Sequence, residues 1–421
     1  MILFRPSNKG KNMTKKTLLA VITACFAVPA TMAAQVELYG RVDTGLSYTK
    51  QKVGWTVLES TDPSGEIDEF SLDSGNSTSS RWGLRASEEL GNGLKIGFVL
   101  ENGFGSDTGA LDTNSTLFNR ESTLWIDGNF GRVYAGRMTT LMSDTGSVGF
   151  FGGLVSPFGT GWGKLAGHAA VMASYDTSRY DNAVAYVSPT IGGVTIYAQY
   201  AMGTNDRENE SSSDRYAALG ASYINGSIQL AAVVDYLNKQ SAGPVLDGVD
   251  DMLNLRNEMG KPDDAWTISL GGAYDFEAVK VYGAVQYFKN AADIGDIMED
   301  FGLILIREAG GTLDDRIAHS YFGADGVGLN IGADIPLAGG VVKISAGYMN
   351  GKTNNIAETT IDADIKNYNI MAGYEYPFSK RTNIYAGAGL TKLKLESNVS
   401  DDFFKYENKI FQAMLGLVHK F

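Results

Sequence analysis

The residue types that most often act as nucleophiles, bases or metal ligands are sparse in this chain. Histidine occurs as His168, His319 and His419, and none lies beside a serine or aspartate in a recognisable catalytic pattern. A hydrolase needs a nucleophile with a base positioned next to it. The glycine-rich stretches precede no predicted helix, so a phosphate-binding loop is not indicated. We therefore predict a protein that is not an enzyme and has no cofactor or metal site.

Residues 1–34 have the features of a secretory signal peptide with an N-terminal extension. A basic start at Lys15 and Lys16 is followed by an apolar stretch and by small residues suited to cleavage after Ala33 or Ala34. The apolar stretch is too short for a spanning helix and no stop-transfer flank follows it. The sequence therefore predicts export from the cytoplasm.

The only cysteine, Cys25, lies within this segment, where Ile22-Thr23-Ala24-Cys25 loosely resembles a lipoprotein box and leaves a lipidated N-terminus as an alternative. The predicted mature chain, 35–421, then has no disulfide, cysteine-zinc site or thiol nucleophile. The full chain carries 35 basic and 48 acidic residues, a formal net charge of −13. Such a surface repels nucleic acid, which we exclude as a partner.

Sixteen segments of the mature chain alternate in polarity and are separated by clusters of Gly, Pro, Asn and Asp. The long connections between them are 49–77, 105–115, 139–175, 203–213, 240–264, 289–318, 351–362 and 396–405. Short connections, such as Gly91-Asn92-Gly93 and Asn225-Gly226, alternate with these long ones. Strict alternation of this kind is typical of outer-membrane barrels, which have short periplasmic turns and long external loops.

The pattern within the strands indicates an apolar surrounding. The last strand keeps Phe411, Leu415, Leu417 and Phe421 on one face up to its final residue. Lipid-exposed strand edges would leave backbone groups unpaired, so a sheet in a membrane must close on itself. We predict an all-β fold, with residues 35–421 as one 16-stranded antiparallel transmembrane β-barrel. Aromatic residues near the predicted strand ends suit interfacial girdles: Tyr39, Tyr48, Trp82, Trp125, Tyr376 and Phe421.

Four stretches carry a resemblance to a known family: LYGRVDTGL, SRWGLRASEELGNGLKIGFVLENGF, FNRESTLWIDGNFGRVYAGR and the ending GLVHKF. Together they resemble the general porins of Gram-negative bacteria, and the β-proteobacterial branch in particular. The resemblance implies a homotrimeric barrel in the outer membrane that passes ions and small hydrophilic solutes by diffusion. It also implies contact with membrane lipid and lipopolysaccharide, and recognition of Phe421 by the barrel-assembly machinery.

In this family the third long loop folds back into the barrel and narrows it, and the resemblance implies the same for 139–175. The glycine content of this loop allows tight folding against the wall. The residues expected to anchor it are Phe150, Phe151, Phe158 and Trp162. A flexible external loop is the alternative.

The resemblance also implies a ladder of wall cations opposite the loop. Arg41, Arg81 and Arg120 stand at the family's positions, and Arg85 and Arg137 have the strand parity to join them. Many porins crowd acids on the constriction loop, whereas residues 139–171 here contain one carboxylate, Asp144, with Lys164 nearby. We therefore expect a net basic constriction beneath acidic outer loops, and a weak preference for anions.

Three other functions remain open from the sequence. An outer-membrane enzyme lacks a visible catalytic pattern. A channel specific for a sugar or an organic anion would use the loop aromatics or an arginine track. An adhesin or phage receptor would use the same external loops without excluding a pore. The apolar run 301–306, within a long connection, has no assigned role.

Overall fold

The computed structural model describes residues 36–57, 60–61, 65–113, 116–163, 165, 179–203, 214–239, 263–291, 324–353, 363–399 and 402–421. The predicted signal peptide and the run 301–306 lie outside these ranges. None of the helices in the described ranges is long and apolar enough to cross a membrane.

The described elements are eighteen strands and one short helix, α1, Phe151–Val155. The strands are β1 Glu37–Val57, β2 Ser60–Thr61, β3 Gly65–Ser74, β4 Arg81–Gly91, β5 Leu94–Gly103, β6 Glu121–Gly128, β7 Gly131–Thr139, β8 Arg179–Val187, β9 Val194–Ala201, β10 Arg215–Asn225, β11 Ile228–Asn238, β12 Ala265–Asp275, β13 Lys280–Ala291, β14 Ala324–Leu337, β15 Gly340–Thr353, β16 Ala363–Pro377, β17 Thr382–Val399 and β18 Asp402–Lys420.

Sixteen of the described strands, β1 and β4 to β18, form a closed antiparallel barrel, as predicted. Closure occurs where β1 pairs with β18, from Arg41 opposite Lys420 to Val57 opposite Phe404. The pairing continues through the last residue, because Gly40 and Phe421 exchange backbone hydrogen bonds of 3.1 and 3.0 Å. Closure leaves no strand edge of the barrel wall facing lipid, where an unpaired backbone group costs several kcal/mol.

The strands at the seam are longer than predicted. The connection predicted at 396–405 is wrong, because β17 runs to Val399 and β18 begins at Asp402. The connection predicted at 49–77 is largely strand, since β1 extends to Val57 and β3 pairs beside it. Above the membrane both strand faces meet water, so apolar alternation is lost while the backbone ladder continues. Ion pairs such as Lys50–Glu66, at 2.9 Å, lie along these strand extensions.

The barrel has its apolar face outside and a polar face inside. Leucines such as Leu219 and Leu390 point outward with 60% and 43% of their surface exposed. Inward positions on the same walls carry buried polar residues such as Thr267, Gln286 and Asn330. This arrangement suits lipid around the wall and water within it.

Outward aromatic residues gather near both ends of the wall. At the turn end they include Phe130, Tyr274, Phe276, Tyr376, Phe378 and Phe421; at the loop end they include Phe70, Tyr200, Tyr236, Tyr287, Tyr368 and Phe411. Two girdle assignments are wrong, because the odd positions of β1 and β6 face inward. Tyr39 donates a hydrogen bond to Glu101 Oε2 at 3.1 Å, and Trp125 packs beneath the Arg132 guanidinium at 4.2 Å.

Candidate functional site

The loop that follows β7 folds back along the inside of the barrel. Phe150 stacks on the inward-facing Tyr197 ring of β9, with centroids 4.1 Å apart and planes at 14°. Phe151 and Val155 of α1 are fully buried between the loop and the wall. The described part of the loop, 139–163 and 165, is therefore not an external loop.

Glycines on the inner wall make room for the loop. In each case a Cβ atom on the glycine would overlap a loop side chain, so the backbone approach depends on the missing side chain. Measured from a Cβ atom placed on each glycine, the distances along the wall are 2.9 Å from Gly220 of β10 to Phe150 Cζ, 2.6 Å from Gly271 of β12 to Val155 Cγ1, 2.6 Å from Gly332 of β14 to Pro157 Cδ, and 3.0 Å from Gly373 of β16 to Trp162 Cζ3.

The second half of the loop is held by aromatic and charged contacts. Phe158 and Trp162 meet edge to face at 5.1 Å, and Trp162 meets Tyr385 of β17 at 5.3 Å. Lys343 Nζ donates to the Pro157 carbonyl at 2.9 Å, and its charge is met by Asp334 and Glu375. The four predicted anchor residues thus lie against the wall, with their rings turned away from the open lumen.

Near Gly163 the loop contacts a turn that the buried Asp43 organises. Asp43 Oδ2 accepts the backbone N–H groups of Ser77 and Thr78 at 2.8 Å, and Oδ1 accepts the Tyr385 hydroxyl at 2.6 Å. Gly163 N–H then donates to the Asn76 carbonyl at 2.8 Å. One carboxylate therefore ties β1, β17 and the 76–78 turn together, and through that turn it holds Gly163 of the loop.

The same turn positions two of the predicted wall arginines. Thr78 Oγ1 accepts Arg41 Nη1 at 3.1 Å and Arg81 Nη2 at 3.2 Å. Arg120, just before β6, donates Nε to Glu101 Oε1 at 2.8 Å, and Arg81 Nη1 lies 3.6 Å from the same oxygen. Arg41, Arg81 and Arg120 thus form one group on the inner wall.

Sequence reasoning missed the acidic members of this group. Glu101 and Glu121 face each other across β5 and β6. Glu101 serves Arg81 and Arg120, whereas Glu121 is 2% exposed and bonds the loop at Ser147. Strand parity alone places both residues with Tyr39 on the inner face, so the signal was present in the sequence.

Arg85 and Arg137 are placed apart from the other three arginines. Arg85 shares the inner face but lies toward the turn end, in a two-bond pair with Glu37 at 2.8 and 2.9 Å. Arg137 pairs opposite Ser122 on the outer face, so its predicted inward parity is wrong. Arg137 alternates regularly with Val133 and Ala135, which lie opposite the outward Ile126 and Leu124, so strand parity already places it outside. The register shift beside Gly136 affects only the pairing of β7 with β8.

Arg137 instead supports the wall near Arg120. Its Nε donates to the Asn119 carbonyl at 2.8 Å and its Nη1 to Asp181 at 2.8 Å. Arg179, which the sequence did not single out, donates to the Arg120 carbonyl at 2.9 Å. These two guanidinium groups therefore hold the backbone on which Arg120 sits.

The loop brings its own carboxylate towards the arginines. Asp144 lies within electrostatic range of Arg41 and Arg81 and accepts the Thr160 hydroxyl at 2.8 Å. Lys164, predicted beside it, lies outside the described residues. Within the described ranges no cluster of three or more His, Cys, Asp or Glu side chains is arranged to hold a metal ion.

Comparison with known proteins places this architecture in a family. The family model described as Gram-negative porin matches residues 18–394. An outer membrane porin protein of Bordetella pertussis is 31% identical over 90% of this chain and 94% of its own length. Outer membrane porin protein 32 of Delftia acidovorans is 28% identical over 90% of each chain. Among solved structures, the anion-selective porin from Comamonas acidovorans superposes with a TM-score of 0.57 over 92% of this chain and all of its own, at 23% identity.

Proposed function

We propose the following from the premise that this chain belongs to the Gram-negative porin family and forms a passive diffusion channel in the outer membrane. The inward loop and the wall arginines set the size and the charge of its pore. The observation that carries the proposal is the position of the loop. It follows the inner wall from β10 to β17 and presents Asp144 toward Arg41 and Arg81. Solutes would pass between these two surfaces.

The charge balance of the constriction supports a weak preference for anions. Three guanidinium groups, on Arg41, Arg81 and Arg120, lie near two carboxylates, the largely buried Glu101 and the exposed Asp144. A ring of fixed charge in a narrow pore with low-dielectric walls dominates selectivity over distant vestibule charges, which are screened within about 8 Å at physiological salt. The structural similarity to a porin named as anion-selective agrees with this sign.

The loop aromatics do not favour a substrate-specific channel. Phe158 and Trp162 are 3% and 4% exposed, because their rings fill the space above the wall glycines. Rings packed in this way offer a passing sugar no stacking surface. We therefore propose a general diffusion pore that performs no chemistry on its solutes.

Single-channel recording tests this function. The mature protein, refolded and inserted into a planar bilayer under a potassium chloride gradient, should show stepwise conductance and a reversal potential of anion-selective sign. A reversal potential near zero, or of the opposite sign, would overturn the anion preference and leave the channel intact. A folded barrel without conductance would overturn the diffusion function itself.

Assembly and targeting complete the proposal. We propose a homotrimer, for which closure of the conductance in thirds is the expected signature; a similar-fold outer membrane protein of Vibrio cholerae is described in a trimer form. We further propose that residues 1–34 are removed on export, that Phe421 is read by the barrel-assembly machinery, and that the wall contacts lipid and lipopolysaccharide.

A further inference from the structure

Strand β3 has a neighbouring strand on one side only. It pairs with β1 from Thr44 opposite Ser74 to Val53 opposite Gly65. The next strand of the chain, β4, pairs with β1 further down, at 37–41, and so does not cover the other side of β3. Within the described ranges β3 has no second partner strand. It therefore presents an open strand edge at the loop end of the barrel.

The hydrogen bonds of β1 identify the backbone groups that lie on this edge. Directly opposite residues of an antiparallel pair alternate between bonded and non-bonded pairs. Gly40 exchanges bonds with Phe421, so the even-numbered residues of β1 bond to β18 and the odd-numbered ones to β3. The Gly75 N–H group donates to the Asp43 carbonyl at 3.1 Å, in agreement with this alternation. On β3 the odd-numbered residues therefore bond to β1. The exposed residues that direct their N–H and C=O groups away from β1, here called the β3 edge, are Glu66, Asp68 and Phe70.

The β3 edge begins in the outer aromatic girdle and rises above it. Phe70 is 70% exposed and lies opposite Tyr48, whose ring contacts Phe411 with centroids 6.4 Å apart. Asp68 and Glu66 follow above the girdle, and both are exposed. An exposed strand edge accepts a further strand, to which the main chain contributes affinity and the side chains specificity.

The surroundings of the β3 edge are acidic. Strand β3 holds four acids and no base: Glu66, Asp68, Glu69 and Asp73. Two lysines of β1 meet these acids, with Lys50 Nζ at 2.9 Å and Lys52 Nζ at 3.2 Å from Glu66. Segment 104–113, which contacts β3 at Ser74, adds two acids and no base. Six acids thus stand against two lysines, and this balance favours a basic partner.

A second copy of β3 does not fit the β3 edge. Copies that stand in one membrane are related by rotation about the membrane normal, so their β3 strands run parallel and place like charges side by side. Like charges directly opposite one another in a sheet are destabilising. A cyclic trimer also cannot pair three identical edges with one another. The strand that fits is therefore different in sequence and basic.

We propose that the β3 edge binds an extended basic segment of another protein, which pairs with β3 as an added antiparallel strand. The inference goes beyond the diffusion pore, because the edge lies at the rim of the barrel, away from the constriction. Lysine or arginine side chains of the segment lie opposite Asp68 and Glu66, and an apolar side chain lies opposite Phe70. Its backbone bonds to the N–H and C=O groups that β1 leaves free.

The test compares peptides that differ in charge or in backbone donors. The probe is a fluorescently labelled peptide, Phe-Val-Lys-Val-Lys, blocked at both ends and titrated by anisotropy against the refolded full-length mature protein in detergent micelles. The same peptide with every amide N-methylated keeps its charges and should bind at least tenfold more weakly, because it has no N–H groups to donate. Replacing both lysines of the peptide by glutamate should also weaken binding. An N-methylated or a glutamate peptide that binds as tightly as the probe would overturn the proposal, as would a probe that does not bind.

One matched pair of variants locates the site. Asp68→Ala and Asp68→Pro both remove the carboxylate, but only the proline also removes an N–H group from the β3 edge. Proline is tolerated in an edge strand where the N–H group faces away from the neighbouring strand. Asp68→Pro should therefore bind the probe at least tenfold more weakly than Asp68→Ala does. Equal affinity of the two variants would overturn the assignment to the β3 edge.

Folding and conductance are independent readouts for the two variants. Both should keep the single-channel conductance of the unmodified protein, so a loss of the β3 edge is distinguishable from a loss of the channel. If Asp68→Pro does not fold, the comparison of the probe with its N-methylated form on the unmodified protein still decides the proposal. If Asp68→Pro changes the oligomeric state on gel filtration and the unmodified protein does not bind the probe, the edge is a subunit contact and the proposal is wrong.

Discussion

A guanidinium group that sets the charge of a pore must be held in a fixed position on the inner wall. Arg81 is held at Thr78 and beside Glu101, and it is only 4% exposed. Thr78 is in turn fixed by Asp43. The charge of the constriction therefore depends on a buried carboxylate that no ion passes.

Replacing Arg81 tests the charge balance directly. In Arg81→Gln two arginines would face two carboxylates, so the preference for anions should fall close to zero. The measurement is the reversal potential in a salt gradient. Arg85→Gln is the matched control, because Arg85 is already paired with Glu37 through two hydrogen bonds. Equal shifts in the two variants would show that the group at Arg81 does not set selectivity.

Lys239 provides a pH-dependent test at a single residue. It follows β11 and is 3% exposed, and burial lowers its pKa to about 8 from an ordinary value near 10.5, although Asp214, Asp263 and Asp264 act in the opposite direction. A base whose folded pKa is lowered costs stability below that pKa, and the cost is lost as pH rises toward the unfolded value. Stability should therefore rise by about 3 kcal/mol between pH 8 and 10.5.

The comparison that isolates this effect is Lys239→Met, which has no group to titrate. Chemical unfolding of both proteins at pH 7, 8, 9 and 10 should show the variant ahead at pH 7 and its advantage shrinking with pH. A stability difference that stays constant across this range would contradict the lowered pKa.

At the scale of the element, the inward loop packs against a row of glycines on the inner wall. The aromatic residues of the loop are visible in the sequence, but they and their neighbours pack against single glycines on β10, β12, β14 and β16, which are far apart in the chain. Each glycine lies at an inward position of an otherwise ordinary alternating strand. Only the barrel brings them onto one curve beneath 150–162.

The substitution Gly373→Val should displace the loop from the inner wall. Its side chain would meet Trp162 and Phe158, where a Cβ alone is already 3.0 and 3.2 Å away. The loop is pinned at Gly163 and at β7, so it should shift into the lumen and lower the single-channel conductance. Overpacking of this kind also costs about 1–3 kcal/mol of stability.

Gly283→Val is the control for the loop experiment. Gly283 lies on the outer face of the neighbouring wall, where a Cβ meets only the Asn330 carbonyl, at 3.9 Å. Its conductance should match that of the unmodified channel. A Gly373 variant with full conductance would mean that the loop does not limit the pore.

At the scale of the whole molecule, the seam between β1 and β18 decides whether the sheet becomes a barrel. The pairing spans seventeen residue pairs and ends where Phe421 exchanges backbone bonds with Gly40. The Phe421 ring lies over Gly40, where a Cβ would be 2.5 Å from it. The terminal aromatic thus closes the wall at the interface with the periplasm.

Phe421→Ala should reduce the yield of folded barrel in the outer membrane, because it removes both the seam contact and the proposed assembly signal. The readout is the heat-modifiable band of folded protein on a gel. Phe378→Ala removes a more exposed aromatic at the same end of the barrel, 63% against 45%, and should have little effect. Equal losses of folded barrel in the two variants would show that Phe421 has no role beyond that of the other aromatic girdle residues.

The sequence by itself determined the all-β barrel and its sixteen strands. Each of these depends on a local pattern: alternation with period two, or glycine and asparagine at tight turns. Tertiary structure decided what the pattern leaves open. The paired strand extensions replaced the connections predicted at 49–77 and 396–405. The row of wall glycines under the loop depends on the register between strands, which the local pattern of a single strand does not encode.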